Sequence, residues 1–313
     1  MSPAANDQLL EPFRYVNAVP GKNVRGKLIE CFQYWFRVEN AEALDTIRQI
    51  VADLHNASLL IDDIEDNSKL RRGNPVAHSI FGVPATINCA NYVYFIALER
   101  CHSLDNPAAL RVFIAELLQL HRGQGLDILW RERVACPSEE EYIDMVRNKT
   151  GGLFRLAVGL LQTFATQHAD TDMTELVNSL AVYFQIRDDY INLADEEYMK
   201  SKSFCEDITE GKLSYPIVHG IQTEAPDTKL VSILKQRTDD PQVKRYAQNL
   251  LRQLGSLDYT IDKCTELKTQ IEKQVASFGG NPELLQLIDL LHIQLDKLGK
   301  ESISRNKSSF DEP

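Results

Sequence analysis

The run Leu59-Leu60-Ile61-Asp62-Asp63-Ile64-Glu65-Asp66 ends a strongly apolar stretch in a cluster of acids. On a helix, Asp62 and Asp66 lie four residues apart, so both side chains leave one face. Carboxylates are disfavoured at a helix C-terminus, where the backbone dipole is already negative, and the cluster therefore calls for a compensating cation. A second run, Phe184-Gln185-Ile186-Arg187-Asp188-Asp189-Tyr190-Ile191-Asn192, again sets acids among apolar residues, with Asp188 and Asn192 at the same spacing. Two oxygen-rich helix faces turned toward each other suit magnesium, which prefers oxygen ligands and keeps waters or phosphate oxygens in its shell. Each run alone also reads as a solvated acidic face. The apolar flanks, and the repetition of the pattern in one chain, argue against that reading.

Basic residues accompany the acids. Lys22 and Arg25 stand beside Gly21 at the start of a helix, His55 lies two turns before the first acidic run, and Arg71-Arg72 follow it. Lysine and the arginine fork bind phosphate oxygens directly. A single lysine or arginine is more ordinarily a solubilising charge, and a lone histidine a hydrogen-bonded core residue. Their company with the acid runs, in a chain of net charge −11, shifts the balance to an anionic ligand held by local bases and metal.

The elements that must position these residues are helical. Ala43–Ile61, Ala85–Arg100 and Pro107–Trp130 carry apolar residues at three- and four-residue spacing, and alternating β-branched runs are scarce. Proline and glycine punctuate between them, and Pro107 and Pro137 mark helix starts, with Ser138 and Glu139 to Glu141 completing the second signature. With no long linker, repeat or low-complexity tract, the 313 residues predict an all-α protein: a loose 1–8, one domain over 9–300 and a loose tail over 301–313. The chain is 43% hydrophobic and 25% charged, an ordinary globular balance. No transmembrane segment or signal peptide is expected, and the acidic charge argues against nucleic acid as a partner. Cys31, Cys89, Cys101, Cys136, Cys205 and Cys264 are scattered singly, which points to reduced thiols and a cytoplasmic setting.

Taken together and in order, these motifs resemble the trans-isoprenyl diphosphate synthases, most closely the animal and fungal geranylgeranyl diphosphate synthases. The resemblance runs from about Leu10 to Asn281 and is densest over His55–Ser58 through Arg71–Gly73, at Lys149-Thr150-Gly151-Gly152, over Gln185–Tyr190 and over Lys202–Lys212. It implies a single-domain antiparallel helical bundle of the isoprenoid synthase type with a central active-site cavity. It also implies a magnesium-dependent prenyltransferase, with three metal ions when substrate is bound, working as a homodimer or higher homo-oligomer. The matches of Lys22, Arg25, His55 and Arg72 hold isopentenyl diphosphate in that family. Those of Arg71, Lys149, Lys202 and Lys212 contact the allylic diphosphate. The broad family ends its second motif in a third aspartate where this chain has Asn192, so Asp62, Asp66 and Asp188 carry the metal.

Loss of the allylic diphosphate builds negative charge on the leaving group and positive charge on carbon. Fixed cations in a site that excludes water stabilise the first. For the second, paired glycines at 151 and 152 either kink a helix and free a carbonyl or allow close helix packing, and sequence leaves both open. Thr150 and Gln185 add side-chain oxygens, as the resemblance implies. One turn below Asp62 lie the small Ala57 and Ser58, where the short-chain members of the family carry aromatics. Tyr94 and Phe95, about 14 Å down one helix, and His121, at about 15 Å on the next, form a constriction suited to a twenty-carbon product. Ordinary core packing is the competing reading of each. Two rival functions share the fold. A class I terpene cyclase would use Asp188, Asn192 and Glu196 as its second metal motif, and a non-catalytic regulatory subunit would need none of these roles.

Overall fold

The computed structural model describes residues 7–19, 21, 23–194, 204–292 and 295. Lys22, Lys202 and Glu196, the 301–313 tail and most of the 1–8 segment lie outside the described residues.

The elements, in chain order, are α1 (Glu11–Asn17), α2 (Val24–Phe36), α3 (Ala41–Glu65), a hairpin of β1 (Leu70–Arg71) and β2 (Asn74–Pro75), α4 (Ala77–Phe81), α5 (Val83–Ser103), α6 (Pro107–Arg133) and α7 (Glu139–Gln162). After them come α8 (Thr174–Ala194), α9 (Glu206–Glu210), α10 (Tyr215–Glu224), α11 (Lys229–Gln236), α12 (Pro241–Gln253) and α13 (Ser256–Ser277), then a helical stretch over 282–292. Apart from the two-residue strands, the regular structure of the described residues is helical, as the periodicity predicts. Among those residues, no helix is long and apolar enough to cross a membrane.

Local chemistry sets the helix ends. Asn40 caps α3, its side chain accepting from the Ala43 N–H at 3.0 Å. Ser138 and Glu141 form a reciprocal capping box for α7: the Glu141 N–H donates to Ser138 Oγ at 3.2 Å, and the Ser138 N–H donates to Glu141 Oε2 at 2.7 Å. Asp240 accepts from the Gln242 N–H at 2.8 Å, with Pro241 opening α12. The β1–β2 hairpin pairs Leu70 with Pro75 and Arg71 with Asn74, leaving Arg72 and Gly73 as a two-residue turn. Both have positive φ, 55° and 81°, the geometry whose twist matches the flanking strands.

The chain forms two compact units, one of residues up to 121 with 152–177, the other of 122–151 with residues from 178 onward. In the first, α3 packs along α5. The seam draws on buried Leu54, Ala57 and Leu60 of α3 and on Cys89, Ala90, Val93 and Ala97 of α5, at helical spacing. In the second, α13 packs against α10 and α12, burying Leu257, Cys264, Ile271 and Val275.

Candidate active site

In the first unit, the end of α3 and the hairpin make an acid–base cluster. The Asp66 N–H donates to the Asp62 carbonyl at 2.8 Å, so the helical turn persists through Asp66 and the two acids keep their common face. Both remain partly exposed. Asp63, one residue round the helix, turns inward and is 1% exposed. Its partner is Arg71, whose Nε donates to Asp63 Oδ1 at 2.9 Å and whose terminal nitrogen bonds both Asp63 and, at 3.2 Å, Asp62 Oδ2. The cation demanded by acids at a helix C-terminus is thus Arg71.

The hairpin sends its two arginines different ways, for Arg71 closes β1 while Arg72 opens the turn with positive φ. Arg72 turns from the acids to the end of α1, where its guanidinium donates to the carbonyls of Val16, at 3.3 Å, and Val19. A Cβ added at Gly21 would meet this guanidinium at 2.7 Å, so glycine there lets backbone and arginine approach. Arg25 donates to His55 Nε2 at 3.1 Å and lies over the Phe154 ring. A guanidinium only donates, so His55 accepts at Nε2 and carries its proton on Nδ1. That buried Nδ1 has no hydrogen-bond partner among the described residues. Burial first, then the charges of Arg25, Arg72 and Arg71, push His55 down to about 2, so it stays neutral. The structure therefore brings Arg25, Arg71 and Arg72 within electrostatic reach of His55.

The second unit holds the other set of residues. Thr150 donates its hydroxyl to Gln185 Oε1 at 2.7 Å. Lys149 pairs with buried Asp127 at 2.5 Å. Lys212 pairs with Asp189 at 3.2 Å and Asp207 at 3.7 Å. Burial alone would lower Lys212, but the carboxylates of Asp189, Asp207 and Asp127 outweigh it and hold the ammonium well above the ordinary lysine value. Burial would likewise raise Asp127, and Lys149, Lys212 and Arg131 outweigh it and keep the carboxylate low. Asp188 is partly exposed beside these groups in the sequence of α8, whereas Asn192 is buried and accepts the Asp207 N–H at 3.2 Å. Asn192 therefore secures the start of α9.

The structure also bears on the paired glycines and on the residues expected to set product length. Gly151-Gly152 neither breaks nor interrupts α7: the helix runs continuously, and a Cβ on Gly152 would come within 3.0 Å of the Glu116 carbonyl oxygen and of Leu120, so close packing is the role of that glycine. Gly123 does the same on α6, where a Cβ would run into the backbone nitrogen of Lys149. Ala57 belongs to the buried stripe of α3 and so packs the core, while Ser58 is half-buried and donates its hydroxyl to the His55 carbonyl at 2.8 Å. Of the proposed constriction, Tyr94 and His121 meet, with ring centroids 5.8 Å apart. Phe95 does not join them. One position further round α5, it is 68% exposed.

Sequence reasoning overlooks Asp63, Asp127, Asp189 and Asp207. Asp63 and Asp189 sit inside runs that draw attention to their neighbours, and the missing signal is which acid faces inward. Asp127 follows Gly123-Gln124-Gly125, and only the close approach at Gly123 would have pointed to α7 as its partner.

Asp62 and Asp66, on one partly exposed face of α3, offer carboxylate oxygens of the kind magnesium takes, one or two at a time with water and phosphate oxygens completing the shell. In the second unit, Asp188 offers another on α8. Among the described residues, no group of three or more His, Cys, Asp or Glu side chains is placed to hold a metal ion.

Comparison with known proteins agrees. The polyprenyl synthetase family pattern matches residues 6–251. A geranylgeranyl pyrophosphate synthase of Dictyostelium discoideum is 51% identical over 91% of this chain and 93% of its own length. One of Mucor circinelloides f. lusitanicus is 46% identical over 93% and 95%. A protein of Matsumurasca onukii named terpene synthase is 51% identical over 92% and 94%. On the extent of the match and the order of its motifs, the chain belongs to the polyprenyl synthetase family.

Proposed function

We propose that this chain is a magnesium-dependent geranylgeranyl diphosphate synthase, condensing isopentenyl diphosphate with an allylic diphosphate, chiefly farnesyl diphosphate. The observation that carries the reading is the division of labour around the end of α3. Asp62 and Asp66 present oxygens on one face, while Arg25, neutral His55 and Arg72 cluster as a separate basic set. An acid face for a metal-bound diphosphate and a metal-free basic set for a second one are what a condensing enzyme needs. The near-full-length relatives named geranylgeranyl pyrophosphate synthase support the product.

In this reading Asp62, Asp66 and Asp188 hold magnesium, which supplies neutralisation of the departing diphosphate. Arg71, Lys149, Lys202 and Lys212 bind the allylic diphosphate. Lys22, Arg25, His55 and Arg72 orient isopentenyl diphosphate, with His55 Nδ1–H donating to a phosphate oxygen. Thr150 and Gln185 face the allylic cation with oxygen lone pairs, and the released diphosphate takes the final proton. Tyr94 and His121 limit product length. We take 9–300 as one prenyltransferase domain acting in the cytoplasm, a setting supported by six free cysteines. Exposed Ile87 and Phe95 on α5, and Ile114 and Leu118 on α6, support a homodimer or higher homo-oligomer.

Incubation with magnesium, farnesyl diphosphate and radiolabelled isopentenyl diphosphate, followed by product chromatography, tests the reading; a twenty-carbon product is expected. The relative named terpene synthase favours a second reading, a class I cyclase. Hydrocarbon formed from farnesyl diphosphate alone would establish that instead. Turnover only after a partner subunit is added would make the chain a regulatory subunit.

A further inference from the structure

Asp189 is 1% exposed, yet its carboxylate is fully occupied. Oδ1 accepts from Gln185 Nε2 at 2.9 Å and Lys212 Nζ at 3.2 Å, and Oδ2 accepts from the Tyr215 N–H at 2.8 Å and the Tyr142 hydroxyl. Every one of these residues belongs to the second unit. A carboxylate has about four lone-pair positions, so this one has none to offer a metal.

The chemistry of the contact to Gln185 has a direction. The Lys212 ammonium and the Tyr215 N–H can only donate, one to each oxygen of Asp189, so both oxygens accept and the Gln185 amide turns its nitrogen to Asp189 and its oxygen the other way. That oxygen receives the Thr150 hydroxyl proton at 2.7 Å. The hydrogen bonds therefore run one way, from Thr150 to Gln185 to Asp189. Thr150 has spent its only polar side-chain hydrogen, and its oxygen and the Gln185 oxygen are left with lone pairs.

We propose that Asp189 is a positioning residue for the prenyl transfer, fixing the direction of the Thr150–Gln185 hydrogen bonds so that oxygen lone pairs, and not N–H or O–H hydrogens, face the allylic cation. The proposal rests on the reading that Thr150 and Gln185 lie beside that cation. It gives Asp189 a task distinct from that of Asp188, its neighbour in the same motif. Fixed dipoles aimed at developing charge cost no reorganisation during reaction, and reversing one replaces attraction by repulsion.

Asp189→Asn tests this with little change of shape. The Tyr215 N–H is fixed by the backbone, so the introduced asparagine keeps its oxygen there and turns its N–H to Gln185, the Lys212 ammonium moving to Asp207. The Gln185 amide then turns over and points its nitrogen at Thr150. The expected loss is about 100-fold in kcat, the size seen when one preorganised group is removed from an active site. The melting temperature should fall, because Lys212 loses one of its carboxylates, so rates are compared where both proteins are fully folded. There, KM for isopentenyl diphosphate and the half-saturating magnesium concentration should stay near wild type. A raised magnesium requirement with kcat restored at saturation would make Asp189 a metal ligand and overturn the proposal. So would an unchanged kcat, or a loss that merely follows a fall in melting temperature.

Gln185→Glu tests the same direction from the other side and does not depend on the folding of the Asp189→Asn variant. The introduced glutamate can bond Asp189 only when protonated, and its carbonyl then accepts from Thr150 as the amide did. The kcat of this variant should therefore recover as pH falls, relative to wild type at each pH. A profile parallel to that of wild type would overturn the proposal. If wild-type protein itself makes no prenyl product, the functional reading fails; if it does and Asp189→Asn matches it, only this inference fails.

Discussion

Arg71 donates from Nε to Asp63 Oδ1 at 2.9 Å, closing an ion pair between the β-hairpin and the last turn of α3. Asp63 is fully enclosed and Arg71 nearly so. Removing one member of such a pair leaves an uncompensated charge, at a cost of about 3 kcal/mol. Asp63→Ala should lose about that much stability in urea unfolding. Asp66→Ala, on the partly exposed face, should lose far less while losing activity.

Asp62→Asn and Asp66→Asn are expected to lower kcat by about 100-fold or more, on the order seen for loss of a main electrostatic stabiliser, and to raise the magnesium concentration needed for half-maximal rate. Steady-state rates across a magnesium titration check both effects. Chelation should abolish turnover and leave the helical circular dichroism unchanged, because Arg71 already balances Asp62 and Asp63.

His55 gives a stability signature against pH. Its folded pKa, about 2, lies far below the unfolded value near 6.5, so below pH 6.5 the unfolded chain binds a proton that the folded chain refuses. Its contribution is intact above pH 6.5 and is lost as pH falls toward the folded value, at about 1.4 kcal/mol per pH unit. The difference in unfolding free energy between wild type and His55→Gln, measured from pH 7.5 to pH 5.5 (roughly one unit either side of the free histidine value), isolates it. Wild type should lose stability on acidification more steeply than the variant.

Much of this was readable in the sequence. The same-face spacing of Asp62 and Asp66 needs only the helical repeat; apolar periodicity and Pro107 place α3, α5 and α6 to within about a turn at each end, while the Asn40 cap went unread. The inward acids were not readable. Asp63 and Asp189 each sit beside an equally plausible aspartate, and which one points inward depends on the rotation of the whole helix, set by packing along its length. Asp127 needs Lys149, distant in sequence, to have any meaning. The rotation of α5 decides Phe95 too, since one position round from the ring that meets His121 it is 68% exposed.

If Tyr94 and His121 form the floor, Tyr94→Ala should pass product one isoprene unit beyond twenty carbons, and Phe95→Ala should leave the distribution as it was. Chromatography of the dephosphorylated products distinguishes the two. Burial, followed by the charges of Glu65 and Asp62, raises the Tyr94 hydroxyl above its ordinary value, so the ring is neutral throughout the working range.

Gly123 is packed so tightly that alanine there would drive its Cβ into the backbone of Lys149, and overpacking of this kind costs about 1–3 kcal/mol. Gly123→Ala should lower the melting temperature and reduce turnover together, since the backbone it displaces carries Lys149.

That contact also sets where the enzyme can be retuned. Side chains can be exchanged, but two main chains in touch have nothing to give up. The α6 segment beside Lys149 is thus a fixed jig for the lysine, closed to gradual change. Gradual change is left to places where one ring meets another, as Tyr94 meets His121.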